Sequence, residues 1–218
     1  MSVSPDALAL LESHLSPARL NRLQTVLAQR TKKLTLVLEN LYHPENVNNV
    51  LRTAECLGIQ EIHLIQEKFD WKYNRNIARG SGKWLEIKSW ESGEACIDFL
   101  RSNHYRLAVT SAQRGSYSPE SLPLEAPVAL VFGNESVGVT ARTLAAADMC
   151  VHIPMAGLTE SFNISVSAGI LLYSLSSRLR LTQNDWQLPT AESTALYEDW
   201  LKKAVKFADP LLRKQSNL

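Results

Sequence analysis

HPENVNNVLRTAECLG, residues 43–58, gathers Asn46, Asn48, Asn49 and Arg52 within seven positions. An arginine's planar fork matches a phosphate, and amide side chains can orient such a group. FGNESVG, residues 132–138, sets Asn134 and Glu135 between two glycines, Gly133 and Gly138. A carboxylate there can accept a proton or a hydrogen bond. Glycine permits φ > 0 and close approach of a ligand. IPMAGLTESFNISVSAG, residues 153–169, brings Ser161, Asn163 and Ser165 around a helix start, where free N–H groups and capping side chains collect. Each stretch taken alone also fits a plain turn followed by a capped helix. In that reading Asn46 is the N-cap and Arg52 is a solvated side chain.

These residues need elements to hold them. LTLVLEN (34–40), EIHLI (61–65), WLEIK (84–88), YRLAVTS (105–111), PVALVFG (127–133) and CVHIP (150–154) read as strands. Helical patterns fall at 17–31, 46–57, at the segment closing on CIDFLRS, at TARTLAAA, at 164–181 and at 191–207. On the 46–57 helix Val47, Val50, Leu51, Ala54 and Leu57 form the apolar stripe, which turns Asn49, Arg52 and Cys56 outward. Strands alternating with helices imply an α/β fold with a parallel sheet flanked by helices. Ligands of such sheets sit at the carboxyl ends of strands. The loops at 40–46, 133–139 and 154–163 therefore carry the candidate site.

The 218 residues, with 45% hydrophobic content, allow a substantial core. No apolar run reaches the length of a membrane span, and the N-terminus has no secretory pattern. Cys56, Cys96 and Cys150 are far apart and form no CxxC pair, which argues against a zinc site or a disulfide framework and for a cytoplasmic setting. There is no GxGxxG and no GxSxG. RGSGKW is not a Walker loop, because Ile77 and Trp84 stand at the required Gly and Ser/Thr positions. The net charge is only +1, but basic residues are bunched. Arg19, Arg22, Arg30, Lys32 and Lys33 lie in one acid-free stretch, and Lys72, Arg75, Arg79 and Lys83 in another. Such stripes suit a polyanionic partner met at defined places, and equally a set of solvated helix faces.

Together the three motifs, in this order, resemble the SpoU/TrmH branch of the SPOUT RNA 2′-O-methyltransferases. Within it they are most similar to the tRNA enzymes that methylate the ribose of guanosine 18 in the D-loop. The resemblance covers roughly residues 34–180, and ARLNRLQTVLAQR is similar to the basic leader of those tRNA enzymes. It implies an N-terminal basic helical extension over 1–33, a methyltransferase domain over 34–181 with a deep C-terminal trefoil knot, and a helical extension over 182–218. It also implies S-adenosylmethionine as methyl donor, tRNA as substrate and a homodimer; the cysteine spacing and the lack of a long apolar run add the expectation of neither a metal nor a membrane. Carried over residue by residue, Arg52, Asn46, Glu135, Ser161 and Asn163 form the catalytic centre. Thr110, Gly133, Ile153 and Phe162 meet the cofactor, largely through main-chain groups. Arg19, Arg22 and Arg30, with the stripe at 72–83, are expected to grip RNA phosphates. A ribosomal-RNA 2′-O-methyltransferase of the same family and a catalytically inactive RNA-binding relative are the alternatives. The motifs depart from the usual pattern at Asn48, Phe162 and Gly169, none of them a residue expected to be essential.

Overall fold

A computed structural model describes residues 4–67, 81–111 and 117–215. The chain divides into a sheet unit, Thr31–Trp186, and a helical unit formed by Met1–Arg30 with Gln187–Leu218. In chain order the elements are α1 (Pro5–Ser13), α2 (Pro17–Leu27), β1 (Leu34–Glu39), α3 (Pro44–Cys56), β2 (Glu61–Ile65), a 3-10 turn (Ser81–Trp84), β3 (Glu86–Trp90) and α4 (Gly93–Ser102). They continue with β4 (Arg106–Thr110), β5 (Val128–Phe132), α5 (Ala141–Ala145), β6 (Met149–Val151), α6 (Ile164–Thr182), α7 (Thr190–Ala204) and α8 (Ala208–Gln215).

The sheet has six strands in the order β3-β2-β1-β5-β4-β6, and every pairing is parallel. All six residues of β1 are buried, as expected of a strand covered on both faces. Side chains alternate between the faces. Leu34, Leu36 and Leu38 join Val47, Val50, Leu51 and Ala54 of α3 and Leu171, Leu172 and Leu175 of α6. Val37 instead joins Cys96, Ile97 and Leu100 of α4. The expected stripe of α3 is thus the buried one, and Asn49, Arg52 and Cys56 are exposed.

Several boundaries differ from the sequence reading, among them α2, which ends at Leu27 rather than 31, and β6, which is Met149–Val151 rather than 150–154; three others show their physical cause. The third strand runs 86–90 rather than 84–88, because Ser81–Trp84 is taken up in the 3-10 turn. The register Glu61↔Glu86 to Ile65↔Trp90 then carries the strand on to Trp90. Trp90 Nε1 donates to His63 Nδ1 (3.0 Å), so His63 Nε2 holds the ring proton and donates to Glu61 Oε1 (3.0 Å). Lys88 Nζ reaches Glu61 Oε2 at 2.5 Å. Burial pushes the Glu61 carboxyl up, but the hydrogen bonds from His63 and Lys88 and the Lys88 charge outweigh it and bring its pKa down to about 2. Second, α3 starts at Pro44 rather than at 46, so Asn46 lies inside the helix and does not cap it. His43 occupies the N-cap position without a side-chain bond, and Pro44 needs no N–H partner. Third, the last helix stops at Ala204; Phe207 adopts φ 62, outside the helical region, and α8 follows as a separate helix.

In the helical unit α1 and α2 each begin with serine then proline. Ser4 Oγ accepts from Ala7 N and Ser16 Oγ from Arg19 N, each at 3.3 Å. Tyr197 Oη of α7 donates to Glu12 Oε1 of α1 at 2.8 Å. The two terminal segments, separate in the chain, share this one unit. Among the described residues no helix is long and apolar enough to cross a membrane.

Candidate active site

β1 ends on an acid in an otherwise apolar and threonine-bearing strand, and this acid is buried. Glu39, 1% exposed, accepts from Thr140 N (2.9 Å), Thr140 Oγ1 (2.8 Å) and Thr143 Oγ1 (2.7 Å). The next residue, Asn40, turns left-handed at φ 52, which asparagine tolerates better than most side chains. Its carbonyl accepts from Asn134 Nδ2 at 2.8 Å. The loop after β5 is therefore fixed at both ends to the end of β1. Within that loop Asn134 and Gly138 exchange two main-chain bonds of 2.9 Å, and Asn134 Oδ1 accepts from Ser136 N at 2.9 Å. Both glycines are required, for different reasons. Gly138 sits at φ 72, whereas a Cβ on Gly133 would lie 2.2 Å from Gly138 C and Val139 N. The close approach at Gly133 is to its own loop.

The closed loop presents Glu135 to the start of α3. Glu135 Oε1 accepts from Asn46 Nδ2 at 2.8 Å, and Oε2 accepts from Tyr42 N at 3.0 Å. Asn163, the N-cap of α6, accepts from Ser165 N through Oδ1 at 2.8 Å and extends Nδ2 to Asn46 Oδ1 at 3.4 Å. Asn46 is thus held from both sides by loops that follow β5 and β6. Burial pushes the Glu135 carboxyl up, but the bonds from Asn46 and from the main chain of Tyr42 and His43 hold it below the usual carboxylate range. Such a carboxylate stays ionised near neutral pH and is a weak base, so its role here is to accept hydrogen bonds.

Of the five expected catalytic residues, the structure joins Asn46, Glu135 and Asn163 directly. Ser161 is exposed two residues before Asn163. The Arg52 side chain is exposed on α3 and makes no hydrogen bond or ion pair with another described residue. Six helical positions place it about 120° around the helix and about 9 Å along it from Asn46. Asn46 orients toward Glu135 and Asn163, not toward Arg52.

The expected cofactor residues fall on the ends of three neighbouring strands. Thr110 ends β4, Gly133 follows β5 and Ile153 follows β6, and the sheet order places β4 between the other two. Thr110 Oγ1 is engaged with Val131 O at 3.0 Å, Ile153 packs against the core, and Phe162 is 43% exposed. From Ile153 to Phe162 no main-chain N–H is bonded to another described residue. That row of main-chain groups beside exposed apolar side chains fits a ligand gripped through the backbone, as S-adenosylmethionine is expected to be. Among the described residues no group of three or more His, Cys, Asp or Glu is arranged to hold a metal ion.

The basic residues divide. Arg19 and Arg22 are exposed on α2. Arg30 is 1% exposed with its guanidinium 5.0 Å from the Trp200 ring centre, so it packs the helical unit rather than meeting a phosphate. Lys32 and Lys33 are paired with Glu86 (2.8 Å) and Asp185 (2.6 Å). Lys72, Arg75 and Arg79 lie outside the described residues. The sequence reading missed the Glu39 clasp and the part played by Tyr42. An acid closing an apolar strand was the visible signal for Glu39. A main-chain N–H, as at Tyr42, leaves none.

Residues 33–173 match the SpoU rRNA Methylase family, a span from the start of β1 into α6 that contains every loop of the site. The chain belongs to this family. This SpoU methylase is 35% identical over 199 residues to the tRNA (guanosine(18)-2′-O)-methyltransferase of Borreliella burgdorferi, with 91% of each chain covered. It is 30% identical to the Thermus thermophilus protein of the same name, covering 85% of this chain and 97% of that one. Among solved structures, the A. aeolicus TrmH/SpoU tRNA modifying enzyme aligns at TM-score 0.76 and 26% identity, over 90% of this chain and 99% of that one.

Proposed function

We propose that this SpoU methylase transfers a methyl group to the ribose 2′-hydroxyl of guanosine 18 in the D-loop of tRNA, as a cytoplasmic homodimer. The observation that carries the reading is the cluster Asn46–Glu135–Asn163, drawn from three separate segments to the carboxyl end of the sheet. Relatives bearing the tRNA guanosine-18 name cover most of the chain, including parts of the helical unit. S-adenosylmethionine, held along Thr110, Gly133, Ile153 and Phe162, supplies the methyl group on a sulfonium. The protein's work is alignment of the acceptor and stabilisation of the charge it develops. Asn46, fixed between Glu135 and Asn163, presents its amide to the ribose. Ser161 lines the same edge. A guanidinium is a cation and a fork of donors with no acceptor, so Arg52 serves as a phosphate clamp and as a cation beside the 2′-oxygen rather than as a base. Arg19 and Arg22 grip the RNA backbone.

The trefoil knot implied by the resemblance belongs to this reading, and so does the dimer. Support for the dimer comes from α6. Val166 (47%), Ile170 (37%) and Tyr173 (67%) leave an apolar stripe exposed at i, i+4 and i+7 beside the Asn163 cap. The test is transfer of label from tritiated S-adenosylmethionine to unmodified tRNA transcript and to ribosomal RNA, followed by mapping. Label at the D-loop guanosine supports the reading. Label confined to ribosomal RNA, or no transfer while RNA still binds, overturns it.

A further inference from the structure

We propose that the ring of Tyr42, backed by His43, is the platform on which the extruded guanine base of the target nucleotide stacks. This rests on the ribose-methylation reading above. A 2′-hydroxyl can enter a loop-lined site when its nucleotide swings out of the RNA stack. The base then loses its neighbours, and proteins that handle such bases supply an aromatic face in exchange.

Tyr42 meets the requirements of such a face. Leu41 is 3% exposed and turns into the core, and Tyr42, the next residue, turns outward with 58% of its surface exposed. An aromatic side chain that exposed is unusual, since most of its value to a fold comes from burial. Its position is nevertheless fixed. The main-chain N–H donates to Glu135 Oε2 at 3.0 Å, so the segment carrying the ring is tied to the carboxylate that holds Asn46. Left-handed Asn40, anchored to Asn134, precedes it, and Pro44 opens α3 two residues later. The His43 ring stands edge-on at 4.9 Å and 86°, which braces the pair.

The other exposed aromatics among the described residues are placed differently. Phe162 lies on the loop assigned to the methyl donor, Tyr173 on the apolar stripe of α6, and Phe207 in the helical unit. Of these four, only Tyr42 is bonded to the catalytic cluster through its own backbone. A base on its ring would leave the attached ribose to Asn46 and the flanking phosphate to Arg52.

The test compares Tyr42→Leu, Tyr42→Phe and wild type on tRNA transcripts, with affinity for S-adenosylmethionine measured alongside. A second substrate carries 2-aminopurine riboside at the target position. Loss of one base–aromatic stack should lower kcat/KM for tRNA by about 5- to 150-fold in Tyr42→Leu. Tyr42→Phe should stay near wild type, and donor affinity should be unchanged in both. The 2-aminopurine fluorescence should be quenched in the wild-type and Phe complexes and brighter in the Leu complex. Tyr42→Leu matching wild type in rate and quenching overturns the platform. Tyr42→Phe as poor as Tyr42→Leu overturns it too, since the hydroxyl and not the ring would then matter. Wild-type protein that methylates no D-loop guanosine overturns the underlying reading instead, so the two failures are distinguishable.

Discussion

Replacing Glu135 by glutamine separates the carboxylate's hydrogen-bonding work from mere bulk. The native side chain accepts Asn46 Nδ2 on one oxygen and Tyr42 N on the other, with the His43 main chain beside them. A glutamine has a single acceptor oxygen, and its amide nitrogen would face whichever donor is left. One charge-assisted bond is therefore lost, worth about 1.5–3 kcal/mol when its partner is well placed. Glu135 is exposed, so little of that loss should reach global stability, and unfolding should shift by no more than about 0.5 kcal/mol. The loss should instead appear in Asn46, free to leave the position it holds between Glu135 and Asn163. The expected fall in kcat/KM is about 10- to 150-fold. Steady-state methyl transfer to tRNA reads it directly. A double-mutant cycle with Asn46→Ala sharpens the test, because residues acting through one bond do not add. The pair should be no worse than the poorer single variant. Wild-type activity in Glu135→Gln, or losses that simply multiply in the double variant, would refute the reasoning.

Three further outcomes follow from the geometry. Arg52→Ala should abolish methyl transfer while unfolding stability changes by less than about 0.5 kcal/mol and donor affinity holds, because the side chain is exposed and bonds no described residue; loss of folding or of donor binding would make Arg52 structural. Gly133→Ala must displace backbone atoms 2.2 Å from the new Cβ, so it should cost about 3 kcal/mol or more and weaken donor binding, and an unaltered Tm would contradict the loop geometry. Glu61, depressed from 4.5 to about 2, contributes stability that is complete above pH 4.5 and lost as pH falls toward 2. The contribution is about 3 kcal/mol, so denaturant curves of Glu61→Gln should lose that much less than wild type across this window. Parallel pH profiles for the two proteins would contradict the Glu61–His63–Lys88 network.

The sheet was legible because β1 and β5 are short, largely apolar runs between turn residues, and the apolar stripe of α3 set its outward face without reference to tertiary structure. Boundaries failed where a local rule competed with register. Trp84 looked like the start of a strand, but the pairing of β3 with β2 placed Trp90 against His63. Asn46 looked like a cap, but Pro44 could open the helix two residues earlier. The site was half legible. Side-chain chemistry marked Asn46, Glu135 and Asn163, while the bonds that order them run through the Tyr42 main chain and the Glu39 clasp. Arg30 shows the opposite limit. A basic stripe in sequence does not reveal which arginine turns inward onto a tryptophan ring.

The most direct measurement of the central claim uses two tRNA transcripts that differ at a single atom. One carries guanosine at position 18 and the other carries 2′-deoxyguanosine there. With tritiated S-adenosylmethionine, the account predicts label in the first and none in the second, with both bound equally by an Arg52→Ala protein. Equal label in the two would place the acceptor elsewhere and contradict the account.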